Sequence, residues 1–186
     1  MIIDGITTPS GVVIDVSELD SLDSSNQSGL IQMKNTTYTG THSDSVGTNI
    51  RTGILNMSVS ITPKFIDSKM LVQVQWNGEH STINGHNSVF SLFRNGVDIG
   101  APASGSRNTG IAMVTQGYYA DDNNSTMESA KFHHVDEHGT LSIVTYQLSI
   151  ITSNACTLYT NRTVDSLDDP SRERTVSSIT VMEIAA

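Results

Sequence analysis
The sequence predicts an all-β protein, an antiparallel sandwich of the jelly-roll kind or close to it, on three observations. Between Met70 and Trp76, Val72, Val74 and Trp76 fall on one face while Gln73 and Gln75 fall on the other, the period-2 pattern of a half-buried strand. Between Val89 and Arg94 the chain alternates again and then reaches Asn95-Gly96, a residue pair suited to the two positive φ angles of a tight hairpin turn. Short alternating segments of this kind recur along the chain between turn residues, with no amphipathic helix of normal length.

The first 29 residues stand apart as an arm and linker ahead of a head domain spanning 30–186. Val12, Val13, Ile14 and Val16 form a short apolar strand, and Ser17–Ser28 has linker composition. Such an arm either pairs with the sheet edge of another chain or serves as a first strand of its own domain, because a lone strand cannot satisfy its backbone groups. Expected strands then follow at 30–38, 46–51, 54–62, 69–77, 87–94, 109–118, 127–135, 141–152, 155–162 and 174–184. In the longest, Val144, Tyr146, Leu148 and Ile150 share a face. In the last, Ile179 and Val181 face one side and Met182 and Ile184 the other, the pattern of a strand covered by its own sandwich and again by a neighbouring subunit.

Length and composition narrow the function. At 186 residues there is room for one sandwich and an arm, but not for two full domains. Only 37% of residues are apolar and 16% charged, which leaves strands with solvated faces, a thin core that oligomerisation would complete. A formal charge of −9 repels a phosphate backbone, so nucleic acid is not an expected partner. The single cysteine, Cys156, precludes an internal disulfide and reads as a buried structural thiol. The N-terminus lacks a basic region followed by an apolar one, and no apolar run approaches the roughly 20 residues of a membrane span. A soluble protein made in the cytoplasm, with no membrane insertion, is expected.

Chemistry-bearing residues are sparse. His133, His134 and His138 have metal-ligand types, but on a strand His133 and His134 point to opposite faces, so solvated histidines are expected. Asp121-Asp122 and Asp168-Asp169 are acidic turns without the spacing of a calcium loop. A glycosidase would need two acids about 5 to 10 Å apart in a cleft, whereas the acids here fall in separate turns. Neither a Gly-x-Ser-x-Gly elbow nor a Walker loop is present. The sequence therefore predicts no catalytic, cofactor-binding or metal-binding residue. Trp76 is expected in the core, and Tyr118 and Tyr119, beside Asp121 and Asp122, are the candidates for facing a receptor.

Several pieces, taken in order, carry a resemblance: Leu55–Pro63, Ser68–Val72, Phe90–Gly96, Val144–Tyr146, Tyr159–Arg162 and Ser178–Ile184. Together they resemble a domain of tailed-phage virion proteins, of marine and cyanophage type, found in fibres and other surface appendages. The resemblance spans residues 30–186 and implies a homotrimeric jelly roll like the heads of complement C1q and tumour necrosis factor. It points to Met182 and Ile184 at the trimer interface and to Val12, Val13, Ile14 and Val16 fastening the head to other virion proteins of capsid or tail. Long fibres carry large shafts ahead of such heads, so the short leading segment favours a spike, knob, head fibre or capsid decoration protein. The alternative is a receptor-binding fibre tip whose loops 78–88, 101–108 and 119–126 recognise host surface glycan, and a third is a cellular C1q-like binding module.

Overall fold
The computed structural model describes residues 29–81, 88–114 and 125–186, together with the backbone of β1 (Gly5–Thr7) and β2 (Val13–Asp15). β1 and β2 pair antiparallel with each other, Ile6 opposite Ile14. The strands that follow are β3 (Leu30–Tyr38), β4 (His42–Val46), β5 (Thr52–Ile61), β6 (Lys69–His80), β7 (Val89–Arg94), β8 (Val97–Ile99), β9 (Glu128–Asp136), β10 (Val144–Ile151), β11 (Cys156–Thr160) and β12 (Ser177–Ile184). No helix occurs among the described residues.

Two antiparallel sheets pack face to face. One has four strands in the order β5-β10-β7-β8, and the other has six, β3-β12-β6-β11-β4 with β9 also on β6. Along the chain, β3 and β4 lie in the larger sheet, β5 in the smaller, β6 in the larger, β7 and β8 in the smaller, β9 in the larger, β10 in the smaller, and β11 and β12 in the larger.

Pairings along β6 explain how the larger sheet is assembled. Val74 faces Ile179 of β12 and Phe132 of β9, while Gly78 faces Thr160 of β11 and Glu128 of β9. β9 thus occupies one edge of β6, and β12 and β11 lie end to end along the other. β3 and β4 continue that arrangement outward, β3 beside β12 and β4 beside β11.

Asn161 closes the break where these lines change strand. It is fully buried at a positive φ of 62°, a conformation asparagine tolerates better than most residues. Its side-chain nitrogen donates to the carbonyls of Tyr38 and Gly40 at 2.8 and 2.7 Å, its oxygen accepts from Ser177 at 2.6 Å, and its backbone N–H reaches Asn77. These bonds satisfy the side chain and backbone N–H of Asn161, as burial requires. Nearby, a Cβ at Gly78 would collide with the Tyr159 carbonyl and sit 2.5 Å from the Trp76 ring, so only glycine fits.

The core fills from alternate positions of facing strands. Trp76 and Tyr146 are the largest fully buried side chains, joined by Phe90, Leu92, Leu148, Ile150, Ile179 and Val181. Trp76 packs against Phe90 with tilted rings 5.0 Å apart and donates its indole N–H to Thr160 at 3.0 Å, which offsets the cost of burying that donor. Asn95 and Gly96 both have positive φ between β7 and β8, as the hairpin turn demands.

Two expected strands fall differently. The segment 46–51 is a turn after β4, because Asn49 takes a φ of 54° and Gly47 lies under Ile50. Of 109–118, the described part contributes only an isolated bridge between Ala112 and Phe90; 115–118 lie outside the described residues.

Candidate functional site
The outer face of the larger sheet is organised in rows that cross four strands. Met33, Met182, Leu71 and Val135 lie opposite one another across β3, β12, β6 and β9. Met33 is 55% and Val135 46% exposed, and Met182 and Leu71 are half-buried. Towards the end of the sheet, Ile184 lies between exposed Leu30 and Lys69, whose ammonium is 3.5 Å from Glu137. On the other side come two polar rows, Asn35–Thr180–Gln73–His133 and Thr37–Ser178–Gln75–Lys131. Gln73, Gln75, Lys131, His133, Ser178 and Thr180 line an open groove of about 380 Å³ there. One apolar row beside two polar ones follows from β12, where Ser178 and Thr180 give way to Met182 and Ile184 on one face of a period-2 strand.

The inward row beneath carries two carboxylates, Glu183 and Asp136, on either side of Met70. Glu183 accepts from Ser68 at 2.6 Å, Gln32 at 2.5 Å, and the backbone N–H groups of Lys64 and Phe65 at 2.8 and 3.0 Å. Burial pushes its carboxyl up, but these donors together outweigh burial and hold it below the ordinary value. Asp136 accepts from Arg94 at 2.9 and 3.0 Å and from the Tyr146 hydroxyl at 2.7 Å. Burial first, then that bond and the Asp136 charge, drive the Tyr146 phenol far above its usual value.

Ser68 and His138 extend the Glu183 cluster, with His138 Nε2 3.1 Å from the Ser68 hydroxyl and Nδ1 2.9 Å from the Thr140 carbonyl. The order is carboxylate, hydroxyl, imidazole. An activated serine needs the imidazole between the hydroxyl and the acid. Here the carboxylate holds the hydroxyl itself, and the cluster ties the 62–68 and 137–143 turns to β12. A third carboxylate, Glu79, takes the backbone N–H groups of Thr126 and Val164 at 3.1 and 2.6 Å, pinning two loops over the far part of the same sheet.

The remaining residues singled out in the sequence distribute as follows. Met182 and Ile184 lie together on the outer face, opposite the buried side of β12. Val13 and Ile14 lie in β2, while Val12 and Val16 fall outside the described residues. Tyr118, Tyr119, Asp121 and Asp122 also lie outside the described residues, as do 82–87 and 119–124 of the proposed recognition loops. His133 is exposed and His134 half-buried, on opposite faces of β9, and His138 is buried in the Ser68 cluster. Among the described residues, no group of three His, Cys, Asp or Glu side chains is placed to hold a metal ion. In the 168–169 turn, Asp169 accepts from the Ser171 hydroxyl and N–H, which lower its carboxyl. Cys156 is buried, and burial raises its thiol.

Sequence reasoning missed Met33, Leu71 and Val135. The available signal was parity: Leu71 is out of phase with Val72, Val74 and Trp76, and Val135 with Ala130 and Phe132. No protein-family model matches the chain, and no curated protein matches it.

Proposed function
We propose that the chain is a non-enzymatic structural protein of a phage virion, a homotrimeric jelly roll displayed on the particle surface as a capsid decoration protein, head fibre or short spike. The virion assignment rests on the sequence pieces listed above in their order along the chain. Those pieces coincide with structural positions: Glu183 of β12 holds Ser68 in the turn that follows Pro63, Arg94 and Tyr146 meet at Asp136, and Asn161 closes the sheet break. Strands that switch sheets at six of the nine steps from β3 to β12 support the jelly-roll reading.

The observation that carries the assembly is the row Met33–Met182–Leu71–Val135, with Ile184 and Leu30 beyond it. A contiguous apolar strip across a sheet face is the kind of surface that subunits bury. A ring of three copies would repeat each weak contact with a receptor or neighbouring protein threefold, converting modest affinity into avidity.

Light scattering tests this reading. The intact chain is expected at three times the 20.0 kDa chain mass, and Met182→Asp, a charge in the middle of the strip, is expected to give folded monomer. An intact chain that stays monomeric at high concentration overturns the assembly.

A further inference from the structure
Three of the six arginines of this chain, Arg51, Arg94 and Arg172, pair with carboxylates, at Asp98, Asp136 and Asp165. Arg162 and Arg174 meet no carboxylate among the described residues, yet they face each other across an isolated antiparallel bridge. Like charges placed opposite each other destabilise such a pairing, and an anion between them would offset that cost.

The acids nearby are engaged elsewhere. Asp165 is held by Arg172 at 3.1 Å, and Asp169 accepts from the Ser171 hydroxyl at 2.6 Å. Asp44 accepts from the Leu55 N–H and lies 3.5 Å from His42 Nε2. Asp168 and Glu173 are exposed and form no ion pair with either arginine.

Neutral groups fix both guanidiniums. That of Arg162 lies 4.1 Å from the centre of the Tyr159 ring, on the outward side of β11, where Tyr159 pairs with Ser43 of β4. Its Nη1 donates to the carbonyls of Thr163 and Val164 at 3.3 and 3.2 Å, which leaves Nη2 and Nε for a ligand. Arg174 Nη2 donates to the Ser166 hydroxyl at 2.6 Å, and Nη1 to the Glu173 carbonyl at 3.0 Å. Ser166 in turn lines an open cavity of about 440 Å³ with Thr41, His42, Ser43 and Arg162. A cavity of that size holds a small ligand. Its lining is three hydroxyls, an imidazole and a guanidinium, with no carboxylate and no large apolar side chain. Hydroxyls both donate and accept, as those of a sugar do, and a guanidinium fork matches a carboxylate or phosphate.

We infer that this cavity binds an acidic saccharide, its carboxylate or phosphate received by Arg162 and Arg174 and its hydroxyls by Thr41, Ser43 and Ser166. β11 joins β6 at Gly78–His80, the opposite end of β6 from Leu71, so the site lies away from the apolar row. It is complete within one chain and stands apart from the assembly reading.

Titration calorimetry of the full chain tests it with trigalacturonate and glucose 6-phosphate, ligands short enough to read one site in monomer or trimer. At least one of them is expected to bind, and neutral maltotriose is not. Arg174→Gln, at an exposed side chain, is expected to weaken binding about tenfold, the worth of one charge-assisted hydrogen bond. Adding Arg162→Gln should abolish binding, and Lys131→Gln, on the opposite edge of the sheet, should leave it unchanged. Absence of binding by both acidic sugars, full affinity in Arg174→Gln, or an equal loss in Lys131→Gln overturns the site. Inorganic phosphate binding as tightly as glucose 6-phosphate, with trigalacturonate silent, overturns its saccharide character.

Discussion

Glu183 and Asp136 sit in the same inward row, one on each side of Met70, yet they are held by different chemistry. Glu183 has no cation; its charge is spread over a hydroxyl, a side-chain amide and two backbone N–H groups of the 62–68 turn. Asp136 has a guanidinium and a phenol, and its Arg94 partner is 32% exposed, so water shares the ion pair. The first carboxylate acts as a cap for a turn, and the second as a latch between β9, β7 and β10. Removing the cap takes one acceptor from four donors at once, buried Ser68 among them, whereas a latch beside solvent leaves partners that water can reach.

The largest effect therefore belongs to Glu183→Ala, which takes the shared acceptor from Ser68, Gln32 and two N–H groups, although Ser68 still reaches the Phe65 carbonyl and Gln32 the Thr62 carbonyl; a loss of about 2–3 kcal/mol is expected by urea denaturation. Asp136→Asn keeps an acceptor for Tyr146 and loses a partly screened ion pair, so about 1–2 kcal/mol is expected. If Asp136→Asn costs as much as Glu183→Ala, the distinction between cap and latch fails.

The smallest effect sharpens the contrast through pH. Because the folded Glu183 carboxyl lies below its unfolded value, the folded state binds fewer protons there. Its contribution is present above the ordinary carboxylate value and drains away as pH falls through the folded one. Asp44, whose carboxyl burial pushes up, acts in the opposite sense, its contribution fading as pH rises. Denaturation midpoints measured from pH 6 downward should fall less steeply for Glu183→Gln than for the parent chain; parallel curves would contradict the cap.

Much of this was written in residue parity, though not all in a form that stands out. β12 alternates cleanly, β6 does so as far as Gly78 and β10 as far as Leu148, and their faces follow directly from that pattern. β4 is His-Ser-Asp-Ser-Val, an edge strand whose polar residues give no alternation, so the expected strand was displaced onto the apolar residues after it. β8 is only three residues long and exists because of the Asn95-Gly96 turn. Glu183 shares parity with Ile179 and Val181, which placed it inside, but a charged residue near a strand end reads as solvated until its donors are known. Those donors come from up to 151 residues away, a separation no local pattern encodes. The outer apolar row was half legible: Met182 and Ile184 stood out on one strand, while Met33, Leu71 and Val135 joined them only once register was fixed.

β12, the last of the described strands, lies between β3, the first strand of the two-sheet sandwich, and β6. A ribosome making this protein releases the keystone after all the other described strands: until Ser177–Ile184 emerges, β3 has no partner in its sheet and one edge of β6 lies open over most of its length. Pairings that join the two ends of the sandwich are slow to form, and open strand edges invite other nascent chains meanwhile. Polysomes crowded with copies of the same message would bring such edges together, so the interval between synthesis of β6 and of β12 is when this protein is most exposed to misassembly.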